Sequence, residues 1–347
     1  MSLYFYIFLF FSTIGSLYAD TECPNVIATN STSKINQLRI VQYNVEWLFM
    51  DYCASSDCPG AGCTWKNKTS ANAHIKTTSN IISNLSPTII NLCEVEGCDE
   101  LNELVKNIET TVSPSVSLLT PYLRKGKDTS TGQNVALLTR ITPSVSLYRT
   151  EERYNYPIEG SKCNYKGEPT SAGVSKHYIT EIFTNNINIA LIGAHFVAFP
   201  TDPSRCAERE AQAMVIQKVV FQYISKGFEV ILLGDLNDYD GDVLDANNNI
   251  PTSHVLRILK GQYGDYSGKY SLYNVAEEIP QKERYSAWWD KNSDCKSTPT
   301  EFSMIDHMLV TSKMRGYIKT AYYFHGYVEK CDIYESDHYP LVVDFIV

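Results

Sequence analysis

The 347-residue sequence has no internal repeat, no low-complexity tract and no linker long enough to divide it, which argues against a repeat array or a pair of tethered domains. It is also short of basic charge. Only 30 Lys and Arg stand against 39 Asp and Glu, giving a net charge of -9. That balance excludes a general affinity for polyanions. Histidines are scarce around the cysteine-rich stretch CASSDCPGAGC, with His74 alone nearby. Structural zinc sites want a second matched pair or adjacent histidines, so disulfides are favoured there over metal. Past the N-terminus no run approaches a membrane span.

The first 19 residues, MSLYFYIFLFFSTIGSLYA, lack any charge. They read as a secretory signal peptide cut after Ala19. No Lys or Arg precedes the apolar run and Leu17 is large for its place, so an uncleaved anchor competes. Ser12, Thr13, Gly15 and Ser16 weaken that alternative. All ten cysteines follow Ala19, and an even count in an exported chain suggests up to five disulfides with no free thiol. Sequons at Asn30, Asn67 and Asn84 fit the same route. The expected location is secreted or extracellular, or the lumen of the secretory or endolysosomal pathway. The mature chain is expected as a monomer, without stable membrane insertion. Residues 1–19 are the signal peptide, 20–37 a lead-in and 38–347 the folded domain.

Short apolar runs recur, each with polar residues at its C-terminal end. LRIVQYNVE (38–46), TIINLCEVE (88–96), NVALLTR (134–140), NIALIGAHF (188–196), EVILLGDLND (229–238), SMIDHMLVT (303–311) and YPLVVDFIV (339–347) read as strands. Several are apolar on both faces, so each sheet should be covered on both sides. Helices are expected over 70–86, 99–109 and 202–226. The last has Asp202 as N-cap, Pro203 at the first position and Gly227 beyond its end. The class is α/β, with strands and helices interleaved throughout.

Six strand ends carry chemistry-bearing groups: Asn44, Glu94 with Glu96, His195, Asp235 with Asn237, Asp306, and Asp337 with His338. A rigid sheet positions such groups while leaving them open to a crevice. Their types suit hydrolysis of a phosphate diester, which needs oxygens neutralised, a water deprotonated and a leaving group protonated. Carboxylate and amide oxygens suit a hard Mg2+, and two histidines with acids nearby divide acid and base work near neutral pH. The acid-rich end of VILLGDLNDYDGD is then read as gathered around a cation facing an anionic substrate. An EF-hand fails there, because Tyr239 falls at a ligand position and Asp240 where Gly is required. Singly, each residue has a plainer role: Asp235 and Asn237 as turn caps, His195 or Asp306 as a satisfied core group, Asp337-His338 as an exposed loop. Together those plain roles would require six independent coincidences.

In these residues the chain resembles the endonuclease/exonuclease/phosphatase superfamily, which includes deoxyribonuclease I. QYNVEWLF, CEVEG, GAHFVAFP, GDLND, IDHMLV and SDHYP match its motifs in order across about residues 38–347. The resemblance implies a four-layer α/β sandwich, two mixed β-sheets face to face with helices on the outside. It implies a phosphodiesterase using Mg2+ or Mn2+, with structural Ca2+ a further cation to consider. Glu94 and Asp337 would bind the metal with Asn44 in support. Asp306 would orient His338, Asp235 would handle a proton, Asn237 would hold the phosphate, and His195 would bond the phosphate or protonate the leaving oxygen. Cys93 stands where the family commonly has Gln, suggesting a strand end tied by a disulfide, either to Cys98 or to the 53–63 loop. Glu96 replaces an arginine of deoxyribonuclease I that enters the DNA minor groove, and resembles the EVE of some secreted bacterial nucleases.

Nucleic acid is the expected substrate; a phospholipid (sphingomyelinase-like) or sugar-phosphate ester is the alternative, and an inactive secreted binding protein a third. Candidates for gripping the substrate are Arg124, Lys125 and Lys127 in YLRKGKD, and Arg284, Tyr285, Trp288 and Trp289 in ERYSAWWDK. Aromatics with arginine could stack bases or enter a lipid interface. The tryptophans could equally pack beneath a disulfide-tied loop near Cys295.

Overall fold

The computed structural model describes Cys23, residues 35–50, Trp65, and residues 67–111, 119–327 and 334–347. The signal-peptide region, Asn30, and Cys53, Cys58, Cys63 and Cys331 lie outside the described residues. One sheet orders its strands β14-β15-β1-β2-β4-β3. These are β1 (Gln37–Leu48), β2 (Ile89–Val95), β3 (Thr120–Leu123), β4 (Asn134–Thr139), β14 (Ile318–Tyr323) and β15 (Leu341–Ile346). The second orders β10-β13-β9-β8-β7: β7 (Lys176–Thr184), β8 (Ile187–His195), β9 (Glu229–Asp235), β10 (Leu272–Asn274) and β13 (Asp306–Thr311). Two small ribbons pair β5 (Tyr154–Tyr156) with β6 (Thr170–Ala172) and β11 (Ala287–Trp288) with β12 (Phe302–Ser303). Both sheets are mixed: β1–β2 and β8–β9 run parallel, the other pairs antiparallel.

Three apolar clusters show the layering. Leu38, Ile40, Leu137, Leu191, Ile231 and Met308 pack between the sheets. Val41, Tyr43 and Leu92 face helices α1 (Lys68–Leu85) and α2 (Cys98–Thr111) on the outside of the first sheet. Ile192, Val230 and Leu309 face α3 (Pro203–Ser225) and α4 (Val255–Leu259) outside the second. This is the α/β sandwich of four layers. Side chains alternate along a strand, so each of β1, β8 and β9 sends one set to the middle and one to a helix. α3 starts as its sequence dictates, with the Asp202 carboxylate accepting from Ser204 and Arg205 N–H and Pro203 in the first turn.

The cysteines correct the expectation of full pairing. Cys23 joins Cys98, Cys163 joins Cys206, and Cys295 is also disulfide-bonded. Cys93 is a free thiol, 0% exposed. It points into the space between the sheets, whereas Cys98 belongs to the helix side of the same sheet, so the two cannot meet. Burial, with Asp235 nearby, pushes the Cys93 thiol up and disfavours its thiolate. Among the described residues no helix is long and apolar enough to cross a membrane.

Candidate active site

The intersheet faces of four strands turn polar at one end. On β1, Leu38 and Ile40 give way to Gln42 and Asn44. On β8, Ile189 and Leu191 give way to Gly193 and His195. On β9, Ile231 and Leu233 lead to Asp235, and on β13, Val310 and Met308 lead back to Asp306. Register then makes a row, because His195 and Asp306 both pair with Asp235 from opposite sides. Gly234 permits this crowding, since a Cβ there would sit 1.7 Å from the Ala194 carbonyl oxygen.

The row is cross-linked to the other sheet. Asn44 Nδ2 donates to Glu94 Oε1 at 3.1 Å and to Asp235 Oδ2 at 3.0 Å, while its Oδ1 accepts from Glu46 N at 3.1 Å. Asn44 therefore presents its amide nitrogen to the carboxylates and supports Glu94 rather than offering an oxygen of its own. Glu94 sits at a register shift of β2 with φ 68°, and Glu46, Trp47 and Asn237 are also left-handed. Such backbones are uncommon in non-glycine residues and cluster at functional sites. The half-buried Glu94 carboxyl also accepts from Trp47 N at 3.1 Å, and burial together with the Asp337 charge raises it.

Loop 336–338 closes the site. Ser336 Oγ donates to the Asn44 carbonyl at 2.8 Å and accepts from His338 N at 3.0 Å. His338 Nδ1 lies 2.7 Å from Asp306 Oδ2, and its Nε2 is 3.9 Å from both Asp235 Oδ2 and Asp337 Oδ1. Burial opposes its charged form, but Asp306, Asp337 and Asp235 outweigh burial and hold the imidazolium well above the usual range. His195 is the opposite case. Burial, Lys176 and His338 hold it well below its ordinary value, its Nε2 is 3.6 Å from Asp235 Oδ2, and its Nδ1 has no partner. Burial and Asp306 raise Asp235. Asn237 N bonds Asp235 Oδ1 at 3.0 Å and its Nδ2 bonds the Phe196 carbonyl at 3.1 Å. Ligand-type atoms of Asp235, Asp306 and His338 lie within 4.8 Å of one another, a buried acidic and histidine cluster.

The remaining acids of the Val230–Asp242 run do not join it, which corrects their reading as one cation site. Asp238 binds the Arg209 guanidinium at 3.0 Å and Ser253 at 2.8 Å. Lys260 Nζ lies 2.7 Å from both Asp240 and Asp242. These charges are met from within the chain, and no calcium loop forms there.

The proposed gripping residues do not share one set of partners. Arg124, Lys125 and Lys127 are exposed, Lys127 pairs with Glu151, and Lys127 N bonds the Ser175 carbonyl at 2.9 Å, next to Lys176. The Arg284 guanidinium is committed to the carbonyls of Ile279, Leu244 and Glu277. Tyr285 stacks on His325 with centroids 3.6 Å apart and on Phe302 at 4.5 Å. Trp288 N bonds the Asp337 carbonyl at 2.9 Å and its indole meets Glu301, while Trp289 is 60% exposed.

Two site residues escaped the sequence. Lys176, nearly buried, pairs in register with His195 and reaches Gln133 Oε1 at 3.2 Å and Asp128 at 3.9 Å. Gln42 Nε2 donates to Asp306 Oδ1 at 3.0 Å. Gln42 stands two residues before Asn44 and so shares its face, a period-2 signal that could have found it.

No family model and no curated protein matches the sequence. Solved structures do match. TDP2 from C. elegans aligns over 91% of this chain and 77% of its own, at 15% identity and TM-score 0.51. An endonuclease/exonuclease/phosphatase family protein from Leptotrichia buccalis covers 88% and 98%, at 12% identity and TM-score 0.55. An endonuclease/exonuclease/phosphatase from Bacteroides vulgatus covers 89% and 98%, at 11% identity and TM-score 0.54. The chain therefore has the endonuclease/exonuclease/phosphatase, deoxyribonuclease I-like fold.

Proposed function

We propose that this chain is a metal-dependent phosphodiesterase, a nuclease hydrolysing DNA or RNA diesters, with residues 38–347 as the catalytic domain. One observation carries the proposal: His195, Asp235, Asp306 and His338 converge at the polar end of the intersheet core, where burial and neighbouring charges shift the two histidines in opposite directions. Oppositely shifted titrating groups mark acid and base assignments. Glu94 and Asp337 repel each other electrostatically, and a divalent cation between them would relieve this, so these residues fit Mg2+ or Mn2+. When bound, the cation supplies neutralisation of phosphate oxygens. His338 is engaged by Asp306 and its charged form is favoured by the surrounding carboxylates, which suits an anion and not a metal.

The chain's own groups divide the remaining work. Asp235, raised by burial, takes a proton from water. His338, fixed by Asp306, and the Asn237 amide hold the phosphate, and Lys176 adds positive charge beside them. His195, whose neutral form is favoured, bonds the phosphate, and His338, whose charged form is favoured, can give the leaving oxygen its proton. The disulfides, with exposed Asn67 and Asn84 as glycosylation acceptors, support an oxidising, exported location. The test is purified protein against plasmid, single-stranded DNA, RNA, sphingomyelin vesicles and phosphomonoesters. Diester cleavage of nucleic acid, stopped by EDTA and restored by Mg2+ or Mn2+, is expected. Cleavage confined to vesicles would replace the nuclease by a lipid esterase, a reading favoured by the exposed Trp289.

A further inference from the structure

We propose that Gln42 is a positioning residue that fixes the Asp306 carboxylate for His338, and that Asn91 and Gly193 hold Gln42 in turn. The inference rests on the phosphodiesterase reading for its effect on rate, though not for its geometry. Gln42 is fully buried where the intersheet core turns from apolar to polar, a place where an unbonded amide is costly. Its Nε2 donates to Asp306 Oδ1 at 3.0 Å, while Asp306 Oδ2 faces His338 Nδ1 at 2.7 Å. The two carboxylate oxygens thus have separate partners, one on β1 and one in the 336–338 loop, and the carboxylate cannot turn without breaking one contact.

The direction of the Gln42 amide is itself set. Asn91, its register partner on β2, donates Nδ2 to Gln42 Oε1 at 2.5 Å. With the oxygen so occupied, the NH2 end must face Asp306. Asn91 fits because β8 has no side chain opposite it. A Cβ at Gly193 would sit 2.2 Å from Asn91 Oδ1 and 2.4 Å from the Tyr178 ring. Asn91 Oδ1 is left without a partner, a cost expected where a polar pair serves position and not stability. The path Gly193, Asn91, Gln42, Asp306, His338 is continuous, and Gln42 reaches the reaction only through Asp306. Loss of such a supporting partner typically costs about 10- to 100-fold in activity.

The decisive variant is Gln42→Met, which keeps length and removes the donor. It is expected to lower kcat on a diester by about 10-fold or more, with KM within about twofold of wild type. In an Asp306→Asn background the same change should add less than about twofold, because its route to His338 is already cut. The His338 Nδ1 proton, observed by NMR, should move upfield in Gln42→Met as its bond to Asp306 loosens. Asn91→Ala should act in the same direction and decides by the same measurements if Gln42→Met does not fold. A wild type that cleaves diesters beside a Gln42→Met that matches it, with an unmoved proton, sinks the inference alone. A wild type inactive on every diester sinks the functional reading, and the proton shift still decides the role of Gln42.

Discussion

At the scale of the residue, Glu94 carries the sharpest expectation. It is half-buried, lies at a register shift of β2 with a left-handed backbone, and is raised by burial and by Asp337. Glu94→Gln removes a charge that a cation needs, yet keeps an acceptor for Trp47 N–H. The Mg2+ needed for half-maximal activity should rise by about 10-fold or more, with the melting temperature little changed. Direct Mn2+ binding measured by EPR should weaken in parallel. Unchanged binding would remove Glu94 from the metal set. The sequence made such residues visible because each is a polar group ending an apolar run, the one pattern that sheet geometry turns into proximity. Gln42 and Lys176 stayed hidden for the converse reason. Gln42 lies inside an apolar run as one polar residue among several. Lys176 opens a strand whose polar members look solvent-facing until Gln133 and Asp128 bury it.

At the scale of the element, most strands of both sheets were legible, as were α1, α2 and α3. β7 was not, although it is nearly all buried. Its Lys176, His177, Thr180 and Glu181 break the alternation; the first three are buried because Gln133 and the Val174 and Val145 carbonyls receive them, while half-buried Glu181 accepts from Tyr223. The same device operates in α3, where Arg209 is fully buried. Its guanidinium donates to the Val197, Ala198, Phe199 and Pro200 carbonyls and to Asp238, fastening the loops that follow His195 and Asn237. Arg209→Met leaves Asp238 and those carbonyls stranded, so urea unfolding should show a loss of about 3–5 kcal/mol. Arg209→Lys should rescue little, since a point charge cannot span the fork. A loss under about 1 kcal/mol for Arg209→Met would show that the loops hold themselves.

The rim elements separate substrates. The Lys127–Glu151 pair is exposed and worth little, so the ammonium stays available to phosphate. Replacing Arg124, Lys125 and Lys127 with Ala should raise KM for nucleic acid and flatten its salt dependence. Replacing Trp288 and Trp289 should matter more for single strands than for duplex. Vesicle hydrolysis lost with the tryptophans and indifferent to the basic triple would count for the lipid esterase.

At the scale of the molecule, the histidines link stability to pH. Of the 7 in the chain, His74, His177, His195, His254 and His307 are all lowered, chiefly by burial. His177, held at about 3, shows the cause in its contacts. Thr150 N–H donates to its Nε2 at 3.0 Å, so Nδ1 carries the proton and donates to the Val174 carbonyl at 2.8 Å. A second proton on Nε2 would confront that N–H, and Arg149 adds repulsion that Glu151 only partly offsets. The folded value lies below the unfolded value of about 6.5, so this stabilisation is complete above about pH 6.5 and is lost as pH falls toward about 3. At pH 5 the loss from His177 alone is about 2 kcal/mol. Glu100, raised by burial and Glu96, works in the opposite direction over the same range and offsets part of the total. His177→Gln can keep both backbone contacts without titrating. Urea unfolding at pH 7 and pH 5 should therefore show the variant losing about 2 kcal/mol less than wild type on acidification, from a similar starting stability. Equal losses in the two proteins would mean that His177 accepts its second proton without opening the fold.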